Sequence, residues 1–296
     1  MSMHFGIVAI EFIPALKRII SGSAPDFSRI SMVEIVREAA AIEHIQAIEI
    51  PMEIEHMVPS SLTPEVVSEL GELKDELGLS YTAHLPFWAI ETSSFNDYIR
   101  SGSVDSNVHS IRLVENLEPE AYVLHSTGAL AAEYSRQGFS ESVNLVVQGY
   151  MNSFAMKSVE EIISKSEIDP RKLAIENIEF PFDLTREIVD ELDTSICFDT
   201  GHLLTRQCGD EPLSEFYRKH RDRITEVHLN DGLAEKSEAG GYQDHLVLGT
   251  GDMPVREFLL ELVKDKFEGP LVFEMPHEDA IESLNAIRNL VPEALQ

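Results

Sequence analysis

The sequence predicts an α/β fold, a single (βα)8 TIM barrel with a parallel eight-stranded core and outer helices, with residues 1–296 as one domain. Two observations carry this expectation. Short β-rich runs alternate with longer segments of helical period, an alternation that implies a parallel sheet. Runs such as AYVLH, KLAIE, SICFD and PLVFE are apolar almost throughout, as strands buried on both faces are, yet each stops abruptly at a polar or acidic residue.

Taken in order, the first strand is expected over residues 4–12, with a long loop over 13–30 before the helix SMVEIVREAAAIEH. Residues 45–52 form the second strand, PEVVSELGELKDELG the next helix, and residues 80–87 the third strand, which runs into a loop over 88–102. The fourth strand (121–126) opens a loop over 127–140, and SVNLVVQGYMNSFAMKSVEEIISKS is the helix leading to the fifth (172–178). The sixth and seventh strands follow at 195–200 and 224–229. A loop over 230–253 and the helix MPVREFLLELVKDKF precede the eighth, at 270–275. The helices carry apolar residues at three and four spacing, as half-buried helices do. The long loops all follow strands, which places them over one face of the barrel.

Composition narrows the function. Hydrophobic residues at 43% supply a large core. The 23 Lys and Arg against 52 Asp and Glu give a net charge of −29, which repels a phosphate backbone and makes nucleic acid a poor candidate partner. Two cysteines, Cys197 and Cys208, exclude a disulfide framework and a thiolate zinc cluster, and fit a reducing cytoplasm. Neither a signal peptide nor an eighteen-residue apolar span is visible, so no membrane partner is expected.

The strand endings carry the chemistry. They are His84 in TAHLPF, His125 in YVLHSTG, Glu176 in LAIENIE, Asp199 and His202 in FDTGH, His228 in VHLND and Glu274 in VFEMP, with His245 following in the seventh loop. Any one of these is ordinarily a satisfied hydrogen-bonding residue. Together they would crowd unpaired charge into one small volume, at several kcal/mol of desolvation each, unless a cation neutralises it. Imidazoles and carboxylates are the ligands that zinc, manganese, cobalt and magnesium sites use. Beyond this set, Glu49 and Glu11 are candidates to project into the mouth, Trp88 and Phe87 to form an apolar wall, and Arg100 and Arg206 to anchor a substrate phosphate or carboxylate.

HLP, the strand-four His with its Gly loop, IEN, FDTGH, VHLND, HLVLGTGD and FEM occur in an order and spacing that resembles the xylose isomerase-like barrel superfamily. That superfamily includes sugar phosphate isomerases and epimerases, endonuclease IV of AP endonuclease family 2, and related dehydratases and hydrolases. The resemblance covers nearly the whole chain. It implies one metal held by Glu176, Asp199, His228 and Glu274. For a multi-metal site it implies His84, His125, His202 and His245 as well, and hence one to three divalent ions per chain. The departure is at the family's DxH aspartate: Gln243 stands there and Asp244 adjoins His245, so a third site would need a shifted carboxylate.

Two chemistries follow. With two metals bridged by Glu176, a water would be activated for in-line displacement on a small sugar-phosphate or phosphoribosyl compound, with His202 and His245 on the phosphoryl oxygens. With one metal, Glu176 and Glu274 would exchange a proton across the two faces of a ketose while His202 orients its oxygens. Imidazoles at the ends of both strands three and four narrowly favour the hydrolase over the isomerase or epimerase. A metal-dependent sugar-binding barrel without turnover is the non-enzymatic alternative. The oligomeric state is left open.

Overall fold

A computed structural model of the chain describes residues 3–9, 17, 19–20, 26–58, 61–137, 139–237 and 240–295. Glu11 and most of the 13–30 loop lie outside these residues.

Eight parallel strands close on themselves as expected. They are β1 (His4–Val8), β2 (Ile45–Pro51), β3 (Ser80–His84), β4 (Tyr122–Leu124), β5 (Leu173–Glu176), β6 (Ser195–Asp199), β7 (Ile224–His228) and, after a two-stranded antiparallel hairpin of β8 (Asp231–Leu233) and β9 (Gln243–Leu246), β10 (Pro270–Phe273). Closure is made by β1, which pairs with β2 on one side and β10 on the other. Each barrel strand ends short of its predicted limit, and β3, β5, β6 and β7 end on the residue that each presents to the mouth. Strand β3 stops at His84, two residues before Pro86, which lacks a backbone donor, and β4 stops one residue before His125.

The helices, α1 (Met32–Ala40), α2 (Glu53–Met57), α3 (Pro64–Leu77), α4 (Asp97–Val114), α5 (Ala129–Arg136), α6 (Glu141–Ser166), α7 (Phe182–Leu192), α8 (Thr200–Leu204), α9 (Leu213–His220), α10 (Val255–Asp265) and α11 (His277–Leu290), surround the strands. Local signals set their ends. Ser31 caps α1 through the Glu34 amide; Thr63 and Pro64 start α3, and Gly78, at φ 66°, stops it in the left-handed region. The expected 88–102 loop is shorter than read, because Asn96 accepts the Tyr98 amide and starts α4 there. The core is the continuous set of apolar strand and helix faces around Ile7, Ile48, Tyr81, Leu124, Ile175, Phe198, Val227 and Phe273. Cys197 and Cys208 are buried free thiols. Among the described residues, no helix is long and apolar enough to cross a membrane.

Candidate active site and metal centre

Parallel closure brings the carboxyl ends of all eight strands to one face, and there the polar strand endings meet. Glu176, at the end of β5, is at the centre. Its Oε2 accepts from His84 Nε2 at 3.3 Å and from His125 Nε2 at 2.8 Å, while its Oε1 lies 3.0 Å from His202 Nδ1 and 3.7 Å from His228 Nδ1. Glu274 Oε2 approaches the same His228 Nδ1 to 2.7 Å, and Asp199 Oδ2 lies 3.8 Å from it. His245 Nε2 comes within 3.5 Å of Glu274 and 4.0 Å of Asp199. Every side chain of the expected ligand set is therefore in this cluster, with His84, Glu176, Asp199, His202 and His228 all buried.

Three groups within it have ligand atoms mutually within 4.8 Å: His84, His125 and Glu176; Glu176, Asp199, His228 and Glu274; and Asp199, His202 and His245. A cation fits the second group on an observation independent of any resemblance. Within it, His228 Nδ1 is buried and makes no hydrogen bond although Glu274 Oε2 approaches it to 2.7 Å; beside it, in the third group, His202 Nδ1 is likewise buried and unbonded, 3.0 Å from Glu176 Oε1. Buried nitrogens so placed beside oxygens, out of hydrogen-bond alignment, suit ligands converging on a common ion rather than on each other.

The electrostatics agree. Burial opposes ionisation of Glu176, but the charges of His125 and His228, the hydrogen bond from His125 and the nearby His202 ring hold it well below the usual carboxylate range. Glu274 is held well below it likewise, by His228 and His245 against burial. Asp199 goes the other way: burial, together with Glu176 and Glu274, pushes it up against His202 and His245. Burial would lower His84, yet the hydrogen bond to Glu176 and the charges of Glu49 and Glu274 bring it up to about 9.

FDTGH folds as its spacing suggests. Asp199 caps the single-turn α8, its Oδ1 accepting the His202 amide at 2.6 Å, which points His202 across the mouth. Asp244 is drawn in from β9: its Oδ2 lies 3.8 Å from His202 Nε2, Oδ1 lies 3.2 Å from His245 Nδ1, and Gln207 donates to it. Burial acts against its ionisation, but the hydrogen bond from His245, the charges of His245 and His202 and the Gln207 contact bring it down to about 2.

The other candidates divide. Trp88 is 54% exposed beside Phe87 on the segment after β3, and the backbone amides of both donate to Glu53 Oε1 at 2.6 and 2.5 Å. Arg206 is exposed just beyond α8, at φ 60°. Arg100 requires a correction: instead of lying on a loop it is in α4, 3% exposed. Its guanidinium is engaged by Ser158 and Glu161 of α6, at 3.3 and 3.0 Å, and is not available to a substrate.

Sequence reasoning gave too little weight to a layer beneath the mouth. Glu49 Oε2 lies 3.3 Å from His228 Nε2, and Thr82 Oγ1 donates to Glu226 Oε1 at 2.9 Å, all with 0% exposure. Glu226 and His228 are two apart on β7 and so share its inward side; that period-two signal was readable in ITEVH. Three more supports were read as turns or passed over. Asn177 pairs with the Asp199 backbone through two hydrogen bonds, and Asn230 Nδ2 donates to Asp199 Oδ2 at 2.9 Å. Asp231 accepts the amides of Gly232, Gly249, Gly251 and Met253, drawing the LGTGDM segment back to the mouth. A Cβ at Gly251 would collide with Asp231, so that glycine is required by the close approach.

Fold and site together define a TIM barrel with a buried imidazole and carboxylate cluster at its catalytic end. The profile of the xylose isomerase-like TIM barrel family matches residues 36–290, and the chain belongs to that family. A curated relative, the uncharacterized protein MJ1311 of Methanocaldococcus jannaschii, is 26% identical, with 97% of this chain and 89% of that one covered. Among solved structures, a D-tagatose 3-epimerase-like protein superposes with a TM-score of 0.70 at 22% identity, covering 99% of this chain and 98% of the other. A D-psicose 3-epimerase in the presence of D-fructose gives 0.68 at 14% identity, covering 98% and 99%. An L-ribulose 3-epimerase gives 0.66 at 14%, covering 99% of both chains. At these identities the likeness shows the shared fold.

Proposed function

We propose that the chain is a divalent-metal-dependent isomerase or epimerase of a small ketose. The observation that carries this reading is the convergence of Glu176 from β5 and Glu274 from beyond β10 on the same imidazole nitrogen of His228, at 3.7 and 2.7 Å, with Asp199 beside them. A proton exchange at a carbon next to a carbonyl takes one ionised carboxylate as base and a second, carrying a proton, as acid on the opposite face; Glu176 and Glu274 face one small volume, and since both are held low in the free chain, the one that donates would first take its proton from solvent. A divalent cation held by Glu176, Asp199, His228 and Glu274 would supply Lewis acidity toward the carbonyl and hydroxyl oxygens of the ketose. Three carboxylates to one imidazole suit manganese, magnesium or cobalt better than a thiolate-free zinc site richer in histidine would.

Each glutamate has two oxygens, so one can face the cation while the other takes or returns a proton. His202, between Glu176 and Asp244, is placed to orient a substrate hydroxyl. The preference for hydrolysis read from His84 and His125 loses its main support. Both imidazoles have a role without a second cation, since both hydrogen bond to Glu176 Oε2 and help keep that carboxylate charged. The printed names of the superposed structures, all 3-epimerases or like them, also support the epimerase reading.

The test is a panel of ketopentoses, ketohexoses and their phosphates, each incubated with Mn, Co, Mg or Zn and resolved by chromatography. The expected result is interconversion of ketose isomers that is lost in both Glu176→Gln and Glu274→Gln. Release of inorganic phosphate from the sugar phosphates, with no isomeric product, would overturn the reading.

A further inference from the structure

On the side of β1 to β3 the catalytic cluster adjoins a cleft of about 210 Å³ that shares His84 and Glu274 with the site. Apart from those two residues and the carboxylates Glu49 and Glu53, the wall is apolar, with Ile19, Phe27, Ile54, Met57, Phe87 and Trp88 its larger side chains. The aromatic part of the wall is joined to the catalytic histidines, with the Phe87 ring 4.8 Å from that of His125 and 5.1 Å from that of His84. Its position is fixed by Glu53, which accepts the Phe87 and Trp88 amides and is thereby turned away from any ligand role.

We infer that the substrate is a ketose whose end remote from the reacting carbons carries an uncharged apolar group of about the size of an aromatic ring, and that this cleft binds it. The inference rests on the reading of the site as acting on a ketose. Three physical points lead to it. The volume exceeds the roughly 150 Å³ of an apolar cavity that takes up benzene. A bare polyol chain would lose its water hydrogen bonds against six apolar side chains, which offer no replacements. A phosphate is disfavoured still more, because the charged residues lining the cleft are Glu49, Glu53 and Glu274, and no Lys or Arg lines it among the described residues. The same absence removes the substrate-phosphate role expected of Arg100.

Trp88 is the chain's only tryptophan, so its fluorescence reports occupation of this cleft without any need for turnover. The probes are 6-O-benzyl-D-fructose, D-fructose and D-fructose 6-phosphate, titrated into the metal-loaded full chain with excitation of Trp88. The expected order is benzyl ether tightest, by about tenfold or more over D-fructose, with the phosphate weakest. Met57→Glu, at a position 39% exposed and outside the catalytic cluster, should abolish the benzyl advantage and leave D-fructose binding unchanged.

Equal dissociation constants for the three sugars, or a phosphate that binds tightest, would overturn the inference. Incubating the same sugars for product formation separates the two claims. Turnover of D-fructose with a flat binding order removes the cleft proposal and keeps the epimerase reading. A benzyl advantage that Met57→Glu abolishes, with no isomeric product from any of the three, keeps the cleft and removes the reading.

Discussion

Replacing Glu49 by Leu should weaken metal binding although Glu49 is outside the expected ligand set. Its Oε2 lies 3.3 Å from His228 Nε2, and both residues have 0% exposure, so this carboxylate fixes the ring and leaves Nδ1 free for a cation. Loss of such an outer partner lowers metal affinity by about 10–100-fold, or about 1.4–2.7 kcal/mol. An opposing effect is the relief of repulsion between Glu49 and Glu226. It is small, because burial and then the Glu49 charge push Glu226 well above the usual carboxylate range, toward its uncharged form. The net change is therefore a loss. Competition of Mn2+ between the protein and a fluorescent chelator measures it, with circular dichroism to confirm folding. Glu49→Gln, which keeps an acceptor of the same size, should recover most of the affinity. Wild-type affinity in a folded Glu49→Leu chain would refute the reasoning.

Two further outcomes follow from the same geometry. In chelator-treated protein, His84 has its pKa raised from 6.5 to about 9, so its stabilising contribution is complete below pH 6.5 and lost as pH rises through about 9. Asp244, lowered from 3.8 to about 2, contributes above pH 3.8 and loses that contribution as pH falls toward 2. The melting temperature of the metal-free chain should accordingly decline on both flanks, and a profile that is flat through pH 9 would contradict the His84 assignment. Arg100→Met should destabilise the fold by about 2–3 kcal/mol, because it breaks a buried charged contact between α4 and α6, while leaving KM unchanged; a raised KM without loss of stability would restore Arg100 to the substrate.

The barrel was legible because its signal is repeated eight times: doubly buried strands read as apolar runs, and a parallel ladder admits few other arrangements. The cluster at the mouth was legible because Glu176, Asp199, His228 and Glu274 all stand where such a run stops. What the sequence hid is of three kinds. Short elements without a full amphipathic period, such as α2 and the β8–β9 hairpin, fell inside stretches that read as loops. Arg100 was misplaced because one residue, Asn96, starts α4 within what composition alone presents as loop. Of the layer beneath the mouth, Glu49 was named but its partner was not, and Thr82 and Glu226 were passed over, because a polar residue inside an apolar strand declares its partner only once the register of β2, β3 and β7 is known. Spacing marks His84 and His125 as metal-site residues, while only distances reveal that both meet the same oxygen of Glu176.

The central claim is proton exchange between Glu176 and Glu274 across a ketose, and the most direct measurement is solvent isotope incorporation. Metal-loaded protein is incubated with a ketose in D2O and the product analysed by NMR. The account predicts one solvent deuteron at the carbon whose configuration or oxidation level changes, and no incorporation in Glu176→Gln or Glu274→Gln. Product that forms without deuterium, or deuterium that persists in both variants, would contradict it.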